Sequence, residues 1–121
     1  MKFRCVTNNI RFRLGKSDIE VFKTAGMVST SLDFGNHVRF CYRLSATSDN
    51  EPSVEFSNNC LTVAIPTKQA LAWTDDETEV SIGFRHTSGS DGFLDILIEK
   101  DFPCKHGTAK DNQDTFHELI D

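Results

Sequence analysis

The chain carries two similar stretches, IRFRLGKSDIEVF at Ile10–Phe22 and LTVAIPTKQALAW at Leu61–Trp73, so that residue 10 corresponds to residue 61. Each begins with apolar residues at alternate positions, the two-residue period of a strand with one buried face. A Gly or a Pro follows, and then a polar segment that ends on a large aromatic residue, as expected of a short helix. Because repeated units set the architecture of a chain, these stretches predict two copies of one strand–helix unit.

Apolar alternation resumes after each predicted helix. Residues 28–34 and 38–44 alternate on either side of a turn at Gly35-Asn36, which predicts a hairpin. Residues 80–84 and 93–98 supply the strands that follow the second helix. The sequence therefore predicts an α+β fold: a mostly antiparallel, internally duplicated β-barrel or sandwich of two β-α-β-β units, with two short helices.

At 121 residues the chain has the length of one domain. We expect residues 1–102 to form a single duplicated domain, with copy one at about 8–46 and copy two at about 53–100. Residues 103–121 lack apolar periodicity before Phe116 and are expected to form an acidic tail or an irregular strap.

Composition points to a cytoplasmic protein. The apolar fraction of 38% lies within the globular range, and no apolar run approaches the roughly 20 residues that cross a bilayer. Polar residues interrupt the N-terminal segment, which therefore lacks the apolar region of a signal peptide. The four cysteines are widely spaced and are expected to be free thiols, with Cys41 and Cys60 acting as small apolar residues of strands.

Charge is unevenly distributed along the chain. Residues 1–46 carry eight basic and three acidic side chains, whereas residues 47–121 carry five basic and fifteen acidic ones. In the basic part, four arginines alternate with apolar residues and so project from the polar faces of two strands; they are Arg11, Arg13, Arg39 and Arg43. If these strands are neighbours, the four guanidinium groups share one surface that can bind phosphate or carboxylate in bidentate fashion.

Two alternatives to this anion-binding arginine face remain open. In the first, acidic side chains such as Asp33, Glu55 and Glu79, or the acidic tail, neutralise the arginines across the sheet. In the second, the chemistry lies near the C-terminus, where the sequence offers two carboxylates, a thiol and two imidazoles. These candidate residues are Glu99 and Asp101 for acid–base work and Cys104, His106 and His117 as metal ligands.

Several stretches resemble one family. These are IRFRLGKSDIEVF, the Phe34-Gly35 pair, the LTVAIP and AW segments within Leu61–Trp73, and ILIEKDFPC at Ile96–Cys104. Together they are similar to small bacterial proteins catalogued only as a domain of unknown function. The resemblance covers almost the whole chain and implies one stand-alone cytoplasmic domain, without implying an activity. His106 and His117 depart from the family pattern.

No catalytic residue, nucleotide loop, nucleophile elbow or cofactor is predicted. We expect a non-catalytic binding or adaptor domain whose arginine face recognises a small anion or an acidic protein segment. A small metal-dependent or acid–base enzyme and a structural subunit of a larger assembly are the alternatives. Nucleic acid is not the expected partner, because the chain is acidic and its phenylalanines are expected to fill the core.

Overall fold

The computed structural model describes residues 1–75, 81–89 and 92–101 of the chain. These residues form two units with the same order of elements, strand–strand–helix–strand–strand. The first unit contains β1 (Lys2–Val6), β2 (Asn9–Leu14), α1 (Lys16–Ala25), β3 (Met27–Gly35) and β4 (Val38–Thr47). The second unit contains β5 (Ser53–Ser57), β6 (Cys60–Pro66), α2 (Thr67–Asp75), β7 (Ser81–Ser88) and β8 (Gly92–Lys100).

The strands form two separate four-stranded sheets. The first sheet has the order β1-β2-β8-β7 and the second has the order β3-β4-β6-β5. Both are mostly antiparallel, with one parallel pair at the centre of each, β2–β8 and β4–β6. The predicted α+β class with two short helices is confirmed, and the sandwich alternative is correct. The closed-barrel alternative is wrong, because the described strands divide into two sheets.

The two units are interleaved in these sheets. The first sheet combines β1 and β2 of the first unit with β7 and β8 of the second. The second sheet combines β3 and β4 of the first unit with β5 and β6 of the second, so neither sheet belongs to one unit alone. Each unit also has one strand more than the predicted β-α-β-β order. In the first unit the missed strand is β1, where only Phe3 is partly buried. A strand with so little buried surface carries almost no alternation signal in its sequence.

The core is built from corresponding positions of the two units. Ile10 pairs with Ile96 in the first sheet and Leu61 pairs with Tyr42 in the second, so Tyr42 corresponds to Ile96. By this correspondence, every buried residue of the first unit has a buried counterpart in the second. The matched sets are Ile10, Phe12, Leu14, Phe22, Val28, Tyr42 and Leu44, and Leu61, Val63, Ile65, Trp73, Ile82, Ile96 and Ile98.

The helices and the hairpin turns lie at opposite ends of the sandwich. Helix α1 begins after Gly15, whose N–H donates to a carboxylate oxygen of Asp18 at 2.9 Å. It ends at Gly26, which has a φ of 75° and donates its N–H to the carbonyl of Phe22 at 2.8 Å. At the opposite end, tight turns use left-handed backbone that asparagine tolerates, as at Asn58 and Asn59.

Candidate functional site

The structure places the four predicted arginines on two different surfaces. Arg11 and Arg13 lie on β2 of the first sheet, and Arg39 and Arg43 lie on β4 of the second. All four alternate with core residues and so project outward, on opposite faces of the sandwich. Because β2 and β4 lie in different sheets, the four guanidinium groups do not share one surface.

A different set of cations joins Arg11 and Arg13 on the outside of the first sheet. In the β1–β2 hairpin, Lys2 pairs with Arg13 and Arg4 pairs with Arg11. Because Phe3 between them packs against the core, Lys2 and Arg4 project outward. We call this surface the basic face, and its charged residues are Lys2, Arg4, Arg11, Arg13, Arg85, Asp95, Glu99 and Asp101.

Glu99 is shared by two arginines of the basic face. Its Oε1 atom lies 3.2 Å from Nε of Arg11 and 3.7 Å from a terminal nitrogen of Arg13. The same oxygen is buried and accepts no hydrogen bond, so both contacts are ion pairs without hydrogen-bond geometry. Each arginine side chain remains 38% exposed. Both guanidinium groups therefore keep N–H donors for a further acceptor.

The other two carboxylates each have a cation of their own. Asp95 accepts two hydrogen bonds from Arg85, at 2.8 Å and 3.2 Å, and this bidentate contact lowers the pKa of Asp95. The hydrogen bonds to Asp95 raise the pKa of Arg85 in return. Lys2 lies 3.1 Å from Asp101. Within residues 1–75, 81–89 and 92–101, Arg4 has no carboxylate at ion-pair distance.

A groove crosses the basic face beside Arg4. It has a volume of about 390 Å³, and its polar lining residues are Arg4, Asn9, Arg11 and Asp95, of which Asp95 is hydrogen-bonded to Arg85. Two guanidinium groups and an amide can bind a carboxylate or a phosphate there, since arginine N–H groups match both oxyanions in geometry. Sequence reasoning missed Arg4 because β1 was not recognised. The available signal was the charge at positions 2 and 4 on either side of Phe3.

Asp33 and Glu55 form no ion pair with an arginine among the described residues, and the other predicted neutralising partners, Glu79 and the acidic tail, lie outside them. Asp33 pairs in register with Arg39, but no ion pair joins them; its carboxylate accepts the backbone N–H of Gly35 instead. Glu55 accepts a hydrogen bond from Ser57. The carboxylate that faces Arg11 is Glu99, on β8. Glu79 lies outside the described residues.

The alternative C-terminal site is only partly described. Glu99 and Asp101 both face cations of the basic face. Cys104, His106 and His117 lie outside the described residues. In the described part of the chain, no three His, Cys, Asp or Glu side chains are grouped as metal ligands. No helix there is long and apolar enough to cross a membrane.

Comparisons with known proteins identify a family without an activity. A family model matches residues 1–119, and it is described as a family of unknown function, DUF7009. No curated protein and no solved structure matches the chain. The resemblance to a domain of unknown function is confirmed, and the function must be argued from the surfaces described above.

Proposed function

Since this chain belongs to the family of unknown function DUF7009, we propose from its basic face that it is a non-catalytic cytoplasmic binding or adaptor domain. Its ligand is an anionic group, carried by a small molecule or by an acidic protein segment. One observation carries the proposal: Arg4 and Arg11 pair in register and line one groove. Among the described residues, Arg4 has no carboxylate partner.

The charge balance of the basic face favours an anion. Five cations face three carboxylates among the described residues, and Arg11 and Arg13 divide one carboxylate between them. Like charges held close together near a protein surface repel one another, and an anion between them replaces this repulsion with attraction. Hydrogen bonds to charged groups contribute about 1.5–3 kcal/mol each, so two guanidinium groups can bind an exposed carboxylate or phosphate.

The enzyme alternative has less support. Acid–base catalysis needs two groups whose environments separate their pKa values. Glu99 and Asp101 instead face cations on the same surface. Paired with arginine and lysine, both carboxylates offset positive charge of the basic face and do not form an acid–base pair with each other.

Isothermal titration of the untagged protein with inorganic pyrophosphate and with a tetraglutamate peptide tests the proposal. We expect Arg4→Gln and Arg11→Gln each to weaken binding about five-fold or more, as the loss of one charge interaction near a surface requires. Arg39→Gln is the matched control, since it removes an exposed arginine from the opposite face. Absence of binding by both probes, or equal weakening by Arg39→Gln, would refute the basic face as the site.

A second candidate, a subunit of a larger assembly, is favoured by an exposed apolar patch on the second sheet. At the turn end of that sheet, Phe34 is 67% exposed and Phe56 is 62% exposed. Leu32 and Val38 of the same hairpin are also exposed, and the ring of Phe56 lies 6.4 Å from that of Phe40. Contiguous apolar surface of this kind is typical of protein interfaces.

Light scattering of the purified protein over a concentration series tests this second candidate. If the patch is an interface between copies, the wild type associates and the double variant Phe34→Ser, Phe56→Ser is monomeric. Val21→Ser is the control, because Val21 is an exposed apolar residue of α1. If the wild type is monomeric at all concentrations, or if Val21→Ser disrupts association equally, the patch is not a self-association interface.

A further inference from the structure

Two cysteine side chains lie next to each other on the outer face of the second sheet. Cys41 and Cys60 pair in register across the parallel strands β4 and β6, and both are free, half-buried thiols. Neighbouring strands lie about 4.8 Å apart, within the range of about 4.4–6.8 Å that Cα atoms joined by a disulfide require. The register of the two strands therefore sets the two thiols side by side.

Arg43 adds positive charge to this pair. Its guanidinium group lies 4.0 Å from the sulfur of Cys41. Its Nε atom is buried and has no hydrogen-bond partner among the described residues. Burial raises the pKa of the Cys60 thiol, and the neighbouring Cys41 thiol raises it further, whereas Arg43 acts to lower it. Cys41 and Cys60 are therefore two adjacent thiols beside one guanidinium group, which favours negative charge on sulfur while burial opposes it.

The corresponding position of the first sheet shows that the fold does not require sulfur here. Residue 9 corresponds to residue 60, and residue 95 corresponds to residue 41, so Asn9 and Asp95 occupy the same places in the other sheet. There the strands are joined equally well with an amide and a carboxylate. Cys41 and Cys60 are free thiols, as the sequence predicts, and both project from the outer face, away from the core.

We propose that Cys41 and Cys60 form a dithiol redox site that reduces a small hydroperoxide and becomes an intramolecular disulfide. A small peroxide suits the site because both thiols are only partly exposed. The proposal concerns the face opposite the basic face and does not depend on anion binding.

The chemistry balances without another cofactor. The sulfur of Cys41, beside Arg43, loses its proton and attacks one peroxide oxygen; the O–O bond breaks, and a sulfenic acid and water (or an alcohol) form. The sulfur of Cys60 then attacks the sulfenic sulfur, the S–O bond breaks, and the departing hydroxide leaves as water with the proton of Cys60. Two thiols lose two electrons and the peroxide gains them.

The disulfide is reversible, because exchange with an external thiol reductant returns both cysteines to thiols. A dithiol reductant such as dithiothreitol restores the pair.

The test treats the full chain with equimolar hydrogen peroxide and follows intact mass and non-reducing peptide maps. We expect a mass loss of two hydrogen atoms and a bridge between the peptides of Cys41 and Cys60, reversed by dithiothreitol. Cys41→Ser and Cys60→Ser abolish the bridge, whereas the control Cys5→Ser, which removes an exposed cysteine of β1, retains it. Arg43→Gln keeps both sulfurs and slows bridge formation about five-fold or more, the effect of losing one nearby charge.

Three results would overturn the inference. One is a wild-type product that carries only added oxygen or that is linked between chains. Another is an intramolecular bridge that persists in Cys41→Ser. The third is a rate of bridge formation in Arg43→Gln, folded by circular dichroism, that equals the wild-type rate.

Discussion

The two sheets present equivalent inner faces and different outer faces. Inside, each sheet contributes apolar residues at matched positions, as Leu44 and Ile98 illustrate. Outside, the first sheet carries a network of arginines and carboxylates, whereas the second carries thiols and hydroxyls around Arg43. The backbone framework is the same in both, so the outer side chains are free to differ. This contrast shows that the apolar inner faces determine the fold, whereas the outer faces carry the charged and reactive side chains.

The largest expected effect tests the equivalence of the inner faces. Leu44 and Ile98 are both 0% exposed and occupy corresponding positions. Leu44→Ala and Ile98→Ala should each lower the free energy of unfolding by about 2–5 kcal/mol, because both delete methyl groups and leave a cavity. Urea denaturation measures this. A loss confined to one of the two variants would contradict the view that the sheets share one symmetric core.

A moderate effect on stability is expected to distinguish the outer face of the first sheet from that of the second. Glu99 and Ser45 occupy corresponding positions on β8 and β4, but only Glu99 faces two arginines. Glu99→Gln should lower the free energy of unfolding by about 1 kcal/mol at low ionic strength, since ion pairs at surfaces contribute about 0.2–1 kcal/mol each. Ser45→Ala should change it little, and 1 M salt should shrink the effect of Glu99→Gln. An equal, salt-independent effect of both variants would mean that the charge network is not what distinguishes the faces.

The Glu99→Gln variant also tests the proposed anion binding. Glu99→Gln frees Arg11 and Arg13 from their shared carboxylate, so its affinity for pyrophosphate should rise even as stability falls. Opposite signs for affinity and stability are hard to obtain from general unfolding. Titration calorimetry at constant ionic strength measures the affinity. A fall in affinity would instead show that Glu99 orients the arginines for the ligand.

The smallest effect concerns the exposed pair of Arg85 and Asp95. The pKa of Asp95 is lowered, chiefly by its hydrogen bonds to Arg85, so the folded state binds its proton less readily than the unfolded state does. The contribution of the pair to stability is therefore present above the usual aspartate pKa of about 3.9 and is lost as pH falls through the folded-state pKa. Stability of Asp95→Asn should vary slightly less with pH in this acidic range. Identical pH profiles for wild type and variant would show that the pair contributes nothing measurable.

Much of the inner architecture could be predicted from the sequence. The alternation of Ile10, Phe12 and Leu14, matched by Leu61, Val63 and Ile65, identifies two central strands because burial of one face imposes a period of two residues. The turn at Asn58-Asn59 is likewise apparent because asparagine tolerates left-handed backbone. These signals are local, and each depends on a few adjacent residues.

The pairing of strands and most of the site could not be predicted in this way. Periodicity shows that β2 buries one face, but it does not show that β8 lies beside it, and so Glu99 could not be assigned to Arg11. Arg4 was missed for a related reason, since β1 buries too little surface to display a period. The Cys41–Cys60 contact depends on the register of two parallel strands, which no local pattern in either strand specifies.

The interleaving of the two units has a consequence for how the chain folds during synthesis on the ribosome. The second sheet needs only residues 27–66, and Cys41 meets Cys60 soon after both emerge. The first sheet joins Asn9 to Asp95, so the β1–β2 hairpin waits while most of the chain is made, on the order of ten seconds at typical elongation rates. Throughout that interval β2 offers an unpaired edge, to which β8 of another nascent chain can add in place of its own. Such an exchange would give an entwined dimer, and its yield should fall when synthesis is dilute.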